Sequence, residues 1–242
     1  MSPALPLGGA RAVAILVPAY RAEASIGDVV RRSLAVLPDV LVVDDGSDDG
    51  TAEAARAAGA EVHRFPHNRG KGDALEAGFA ILLERGFDAV VTLDADGQHL
   101  PEQVPKLLGA AAGADLVLGS REHLFAEMSR LRQTANRLSS RAISFAAGRP
   151  FADIQTGFRL YGRRLITDVG LPEPRFEAES AVVVRAARRG FQIITVPVEL
   201  GFADGRTTSH FRPVVDSLRI ARAVVRARFA QNPHPTIADA SI

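Results

Sequence analysis

The stretch Val40-Leu41-Val42-Val43-Asp44-Asp45-Gly46-Ser47-Asp48-Asp49-Gly50-Thr51 sets four uninterrupted apolar residues against a loop dense in carboxylates. A strand that is apolar at every position has no face left for water, so it belongs in a sheet covered on both sides. Asp and Gly are turn formers, and Thr51 is suited to cap the helix that follows. The same unit recurs to either side. Residues 12–17 run apolar into Pro18-Ala19-Tyr20, and residues 89–93 run apolar into Asp94-Ala95-Asp96-Gly97-Gln98-His99. Residues 62–65 and 115–118 read as further strands, with helical stretches near 22–37, 51–58, 71–85 and 101–112 between them. Pro101 suits a first helical turn, and Gly59, Gly86 and Gly113 stand where helices should stop. This alternation predicts an α/β fold with a mostly parallel central sheet between two layers of helices, a Rossmann-like three-layer sandwich.

Working outward, the remaining third is less regular. Residues 130–147 place Leu131, Ala135, Leu138, Ala142 and Phe145 on one stripe, flanked by Arg130, Arg137 and Arg141. A loop at 150–157 leads into a strand at 158–161, a helix at about 177–189, a strand at 191–196 and a last helix at 214–231. In that helix Val214, Leu218, Ala221, Val225 and Phe229 share an apolar stripe, with Arg219, Arg222 and Arg226 along one side. One reading packs the stripe on the sheet and leaves the arginines in water. The other lays the helix on an anionic membrane surface. No repeat or linker divides the chain, so we expect one domain over residues 1–231 and a loose tail at 232–242.

Composition narrows the function. The 242 residues are 47% hydrophobic, enough for a core, and the net charge of +1 gives no whole-chain attraction to nucleic acid. With no cysteine, disulfides, thiol catalysis and thiolate-held metals are excluded, and any metal must be held by carboxylate, amide or imidazole. The first 20 residues lack a basic leader and Pro18 breaks their apolar run, so a cytoplasmic protein is expected. No apolar run approaches the roughly 18 residues that a membrane-spanning helix needs.

In an open α/β sheet, ligands bind beyond the carboxyl ends of the strands, so the loops after residues 17, 43 and 93 should meet at one crevice. Between Asp39 and Glu53 lie six carboxylates and no Lys or Arg. Ser47, Asp48 and Asp49 can serve as turn and cap residues, whereas Asp44 and Asp45, at the strand end, can reach a ribose hydroxyl or a base NH. Asp94 and Asp96 at i and i+2 face one space when the chain turns, and close like charges favour a bound divalent cation. Mg²⁺ or Mn²⁺ suits such an all-oxygen site, with Gln98 as a further oxygen donor and His99 as a ligand or a loop-lining group. Lys71 and Gly72 open a helix and can approach a phosphate, while Asn68-Arg69-Gly70 reads as a turn. Phe158, Phe176 and Phe191 are expected in the core.

VPAYRAE, VVDDGSDDGT, NRGKGDAL, LDADGQH, GSR, DIQTGFRLYGRRL and FEAES occur here in the order and spacing of family 2 glycosyltransferases with the GT-A fold. DIQTGFR and the later GRTTSHF resemble the branch that makes dolichyl or polyprenyl phosphate hexoses, mannose among them. The resemblance spans residues 13–211. It implies a nucleotide-sugar part at about 12–120 and an acceptor part at about 121–231. Pro18, Tyr20 and Asp45, with Asp44, would hold the nucleoside. Leu93, Asp94 and Ala95 would line the sugar nucleotide, and Asp94, Asp96 and Gln98 would hold Mg²⁺ or Mn²⁺ on its diphosphate. Arg121, Arg206 and His210 would face the phosphates, and Asp153 is the first candidate for a catalytic base, ahead of Glu177 and Glu179. The chain departs from the family where Arg21-Ala22 replaces the usual Asn-Glu, with Glu23 displaced by one. It departs again where His210 replaces a Lys, leaving a pH-dependent cation.

The implied reaction is inverting hexosyl transfer from GDP-mannose or a UDP-hexose to a polyprenyl phosphate. Alternatives are a hydroxyl acceptor on a glycan or glycolipid, and a nucleotide-sugar binding module without turnover. Leu-Asp-Ala-Asp-Gly also resembles the nucleophile motif of haloacid-dehalogenase-like phosphatases, but it stands on the fourth strand here and not the first. The oligomeric state is not legible in the sequence.

Overall fold

The computed structural model describes residues 13–120, 140–151, 154, 156–201 and 213–229, and within 213–218 the helix alone. In chain order the elements are β1 (Val13–Ala19), α1 (Glu23–Leu34), β2 (Val40–Asp44), α2 (Thr51–Ala57), β3 (Glu61–Arg64), α3 (Lys71–Glu84) and β4 (Ala89–Thr92). A single 3₁₀ turn at Pro101–Gln103 then leads into α4 (Val104–Ala110) and β5 (Leu116–Ser120). Residues 140–147 form α5. The chain continues through β6 (Arg159–Gly162), α6 (Arg163–Val169), α7 (Glu177–Arg188), β7 (Ile193–Pro197) and α8 (Pro213–Phe229).

Seven strands form one sheet in the order β3-β2-β1-β4-β6-β5-β7. All neighbours are parallel except β6, which runs antiparallel to both β4 and β5. The five inner strands are buried on both faces, as the continuous apolar runs of β1, β2, β4 and β5 require, while the edge strands β3 and β7 are largely exposed. Along β1, Ala14 and Leu16 join the core layer with Leu75 and Phe79 of α3 and the residues of α7, while Ile15 and Val17 meet Ile26, Val29 and Val30 of α1. Successive side chains of a strand point to opposite faces, so one apolar run feeds two cores. β2 lies on one side of β1 and β4 on the other, and this split opens a crevice beyond their carboxyl ends.

Three expectations change. Thr51 does not cap α2: Gly50 stands at the cap, the Asp49 carboxylate accepts the Thr51 N–H (3.1 Å), and the Thr51 hydroxyl accepts the Ala22 N–H (2.8 Å). The hydroxyl therefore ties the start of α1 to this loop. α6, too short and too rich in β-branched residues to read as a helix, follows β6 directly. The apolar stripes of α5 and α8 also lie on unexpected faces. α8 packs through Ile220, Ala223, Val224 and Ala227, and α5 through Ile143, Ala146 and Ala147. Of the stripe residues read from the sequence, Phe145 is 76% exposed, Val225 56% and Phe229 71%.

Candidate active site

The three strand-end loops meet in one cavity of about 590 Å³. Its wall carries Pro18 to Ala22 from the end of β1 and the loop after it, Asp45 from beyond β2, and Asp94, Ala95 and Asp96 from beyond β4. Asn68, Gly70, Lys71 and Ala74 come from the start of α3, Arg175 and Phe176 from the turn before α7, and Arg219 from α8. Carboxylates and cations thus face one another across a single opening.

The first acidic loop braces itself. Asp44 is fully buried: its Oδ1 accepts the Ser47 N–H (2.9 Å), and Arg64 Nε lies 3.2 Å from Oδ2 as an ion pair whose geometry misses a hydrogen bond. It does not line the cavity, where a nucleoside contact was expected. Asp45 reaches the cavity but binds the Asn68-Arg69-Gly70 turn, accepting Asn68 Nδ2 (2.8 Å), the Arg69 N–H (2.6 Å) and the Gly70 N–H (2.9 Å). Burial pushes its carboxyl above the ordinary value, with the Arg69 and Gly70 bonds opposing. Arg21, at a positive φ of 50°, donates its N–H to Ser47 Oγ (2.9 Å) and pairs through its guanidinium with Asp48. Glu23 accepts the Gly50 N–H (3.2 Å), and it is not among the cavity residues.

The second loop stays open. Asp94 Oδ1 is 2.5 Å from Lys71 Nζ, which is also 2.8 Å from Glu179 Oε2. Burial would lower the Lys71 ammonium's affinity for its proton, but Asp94 and Glu179 outweigh it and hold the charge firmly. The Asp94 N–H is accepted by His99 Nδ1 (3.2 Å), and the His99 ring stacks on the buried Phe158. His99 is therefore a brace of the loop, and its Nδ1 is already used. Asp96 Oδ1 accepts the Gln98 N–H (3.0 Å), while burial and then the charge of Asp94 push its carboxyl upward. Leu93 is wholly buried in the core, and neither it nor the Gln98 side chain lines the cavity, contrary to expectation.

These donors can be tested against a divalent cation. Two carboxylates of like charge face one space, and among the described residues no group of three or more His, Asp or Glu is placed to hold a metal ion. Such a sparse oxygen set fits Mg²⁺ or Mn²⁺, which keep waters and substrate phosphate oxygens in their remaining positions. It does not fit an all-protein cage.

Opposite this loop, the chain after α5 is tied down from behind. Thr92 Oγ1 donates to the Gly157 carbonyl (2.7 Å), and Arg159, fully buried, donates to the carbonyls of Ile154 (2.6 Å), Thr156 (2.7 Å) and Glu179 (2.6 Å). A Cβ at Gly157 would lie 2.5 Å from Asp94 Oδ1, so a larger residue there would displace the Asp94 carboxylate. Gly72 likewise abuts the Glu173 carbonyl, at 1.9 Å from a Cβ, and this lets α3 start against the turn that carries Arg175.

Of the residues singled out from the sequence, the fold brings Pro18, Tyr20, Asp45, Asp94, Ala95 and Asp96 together. Arg121, Asp153, Arg206 and His210 lie outside the described residues. Glu177 and Glu179 are buried at the start of α7, and Glu179 approaches the site through Lys71. Arg175, Phe176 and Arg219 join the cavity without having been singled out for it; Phe176, expected in the core, is only half-buried. One signal for Lys71 was available: it is one of two lysines against 27 arginines.

The chain was compared with known proteins. Residues 14–170 match the model of glycosyl transferase family 2. An undecaprenyl-phosphate mannosyltransferase of Micrococcus luteus is 36% identical over 77% of this chain and 82% of its own length. A polyprenol monophosphomannose synthase of Mycolicibacterium smegmatis is 34% identical, covering 76% of this chain and 75% of that protein. Among solved structures, the glucosyl-3-phosphoglycerate synthase of Mycobacterium tuberculosis in complex with Mn²⁺, UDP and phosphoglyceric acid superposes with a TM-score of 0.70 at 24% identity. That match covers 90% of this chain and 77% of the other.

Proposed function

Because the chain belongs to glycosyltransferase family 2 and has the GT-A fold, we propose that it moves a hexose from a nucleoside diphosphate sugar to a polyprenyl phosphate, with inversion at the anomeric carbon. The observation that carries this reading is the meeting of Asp45, Asp94, Asp96 and Lys71 in one cavity at the strand ends. The names of the relatives support the acceptor class, and the chemistry of the site supports the rest.

In this reading Pro18, Tyr20 and Asp45 line the nucleoside end. Asp94 and Asp96 would hold Mg²⁺ or Mn²⁺ against the donor's diphosphate. The cation supplies charge that stabilises the leaving nucleoside diphosphate. Lys71 holds the Asp94 carboxylate in place and brings Glu179 to the same site. Arg175 and Arg219 add positive charge on the cavity wall, where Arg121, Arg206 and His210 join them by resemblance. The acceptor's phosphate oxygen attacks the anomeric carbon from the face opposite the leaving group, and the bond to the diphosphate oxygen breaks with its electron pair. A phosphate monoester is already anionic near neutral pH, with a second pKa of about 6, so the step needs no strong base.

A hydroxyl acceptor would need one, and Asp153 or Glu179 would then take its proton. In this reading the protein works at the cytoplasmic face of a membrane. No helix among the described residues is long and apolar enough to cross one. The test is a matrix of GDP- and UDP-sugars against polyprenyl phosphate, a free glycan and a glycolipid, with Mg²⁺, Mn²⁺ or chelator. We expect metal-dependent transfer to the lipid phosphate, with the anomeric configuration reversed in the product. Transfer to hydroxyls alone would replace the acceptor assignment, and metal-dependent nucleotide binding without transfer to any acceptor would leave a binding module.

A further inference from the structure

α5 and α8 each carry two apolar faces, and only one of each is covered. Ile143, Ala146 and Ala147 on α5, and Ile220, Ala223, Val224 and Ala227 on α8, are buried. Phe145, Val225 and Phe229 stand in solvent, the two phenylalanines more than two-thirds exposed. These exposed groups form a continuous patch. The Arg228 guanidinium sits 4.8 Å above the Phe145 ring and 5.9 Å from that of Phe229, and it donates to the Phe145 carbonyl (2.7 Å). Val225 lies one turn before Phe229. Large exposed aromatic side chains gathered in this way mark an interaction surface.

The charge around the patch selects the partner. Residues 140–151 and α8 together contain six arginines and one acid, Asp216. Arg141, Arg222 and Arg226 are exposed beside the aromatic groups. Aromatic and aliphatic tips set among arginines match the boundary of an anionic bilayer, where the tips enter the acyl region and the guanidinium groups meet headgroup phosphates. α8 also reaches the site, since Arg219, further back along the helix, lines the cavity. Ten residues separate Arg219 from Phe229, about 15 Å of helix at 1.5 Å per residue. A lipid whose tail stays in the bilayer would need only that short reach to bring its phosphate to the cavity.

We infer that Phe145, Val225 and Phe229, framed by Arg141, Arg222, Arg226 and Arg228, dock the protein on an anionic lipid surface and set the cavity mouth beside it. The inference builds on the polyprenyl phosphate reading but has its own test. The full chain is sedimented with vesicles of phosphatidylcholine, alone or mixed in equal parts with phosphatidylglycerol, and the wild type is compared with Phe145→Ser/Val225→Ser/Phe229→Ser and with Arg222→Gln/Arg226→Gln. All these side chains are exposed, so both variants should melt as the wild type does. The wild type should bind the anionic vesicles and release from them in high salt, and each variant should bind at least about tenfold more weakly. Turnover on a short-chain, water-soluble polyprenyl phosphate should be the same in all three proteins. Equal vesicle binding by the wild type and the serine variant would overturn the inference. So would a lipid-free dimer that the serine variant dissolves, since the patch would then belong to a second copy. If no form transfers sugar to any polyprenyl phosphate yet the vesicle results hold, the acceptor reading falls and the docking surface stands.

Discussion

Asp44-Asp45 and Asp94-Ala95-Asp96 are two acidic pairs at the ends of parallel strands that lie on either side of β1, yet the fold uses them in opposite ways. In the first pair, both carboxylates serve backbone. Asp44 accepts the N–H of Ser47, and Asp45 fastens the 68–70 turn. In the second, Asp94 is drawn to Lys71, and Asp96 faces the cavity with burial and its neighbour's charge set against it. A carboxylate that accepts N–H groups stabilises the fold. One held near a like charge in a half-buried space is costly until a cation or ligand arrives. Similar sequence chemistry thus yields a brace in one loop and a reaction site in the other.

That contrast is broken most directly at Asp96. Asp96→Ala should cost at least about 10³-fold in kcat/KM, or about 4 kcal/mol of transition-state stabilisation, because the loop then loses one of its two cavity carboxylates. The melting temperature should not fall, since only the neighbouring Gln98 and Asp96 N–H groups depend on this side chain. Kinetics with Mg²⁺ and Mn²⁺ beside a thermal melt check both halves, and a variant that melts early while turning over normally would erase the distinction. Asp45→Ala should do the reverse in rank. Removing one carboxylate strands Asn68 Nδ2 and the N–H groups of Arg69 and Gly70, a loss of about 2–3 kcal/mol in urea unfolding.

Asp44 sharpens the comparison further, because it braces without touching the cavity. Asp44→Asn leaves an oxygen for the Ser47 N–H and forfeits the charge opposite Arg64, whose side chain is partly exposed. A cost of about 1 kcal/mol in stability follows, with KM for the donor unchanged. A large rise in KM would return Asp44 to the nucleoside site that the sequence suggested.

The frame of the fold was legible because it rests on local pattern. Apolar runs at β1, β2, β4 and β5 are long enough to declare both-face burial, and Asp and Gly mark where each strand stops. Much of the site followed from the rule that loops at one sheet edge converge, which brought Pro18, Tyr20, Asp45, Asp94 and Asp96 together. What escaped reading depends on contacts between distant segments. Nothing near Lys71 announces Asp94, 23 residues on, or Glu179, and nothing in TGFR shows that Arg159 will be buried against the Ile154, Thr156 and Glu179 carbonyls. The stripes of α5 and α8 misled for another reason. Both helices are apolar on two sides, and period alone cannot say which side meets the core.

The smallest effect belongs to Arg21, where the brace meets solvent. Its guanidinium forms a two-point pair with Asp48, and that pair raises the Arg21 pKa and lowers that of Asp48 from their ordinary values, chiefly through the side-chain hydrogen bond. Both groups are open to water, however, and exposed pairs return little stability because solvent screens them and two long side chains must be ordered. Arg21→Ala should therefore leave the melting temperature within error of the wild type. The Ser47 hydroxyl still accepts the residue-21 N–H, and Asp44 and Asp45 still hold the loop from inside. KM for the donor should rise only a few-fold, because Arg21 also stacks 5.3 Å over the Tyr20 ring at the cavity wall. A marked drop in melting temperature would mean that the first loop is held from its surface and not by its buried carboxylates, and the division of labour between the two acidic pairs would fail at that point.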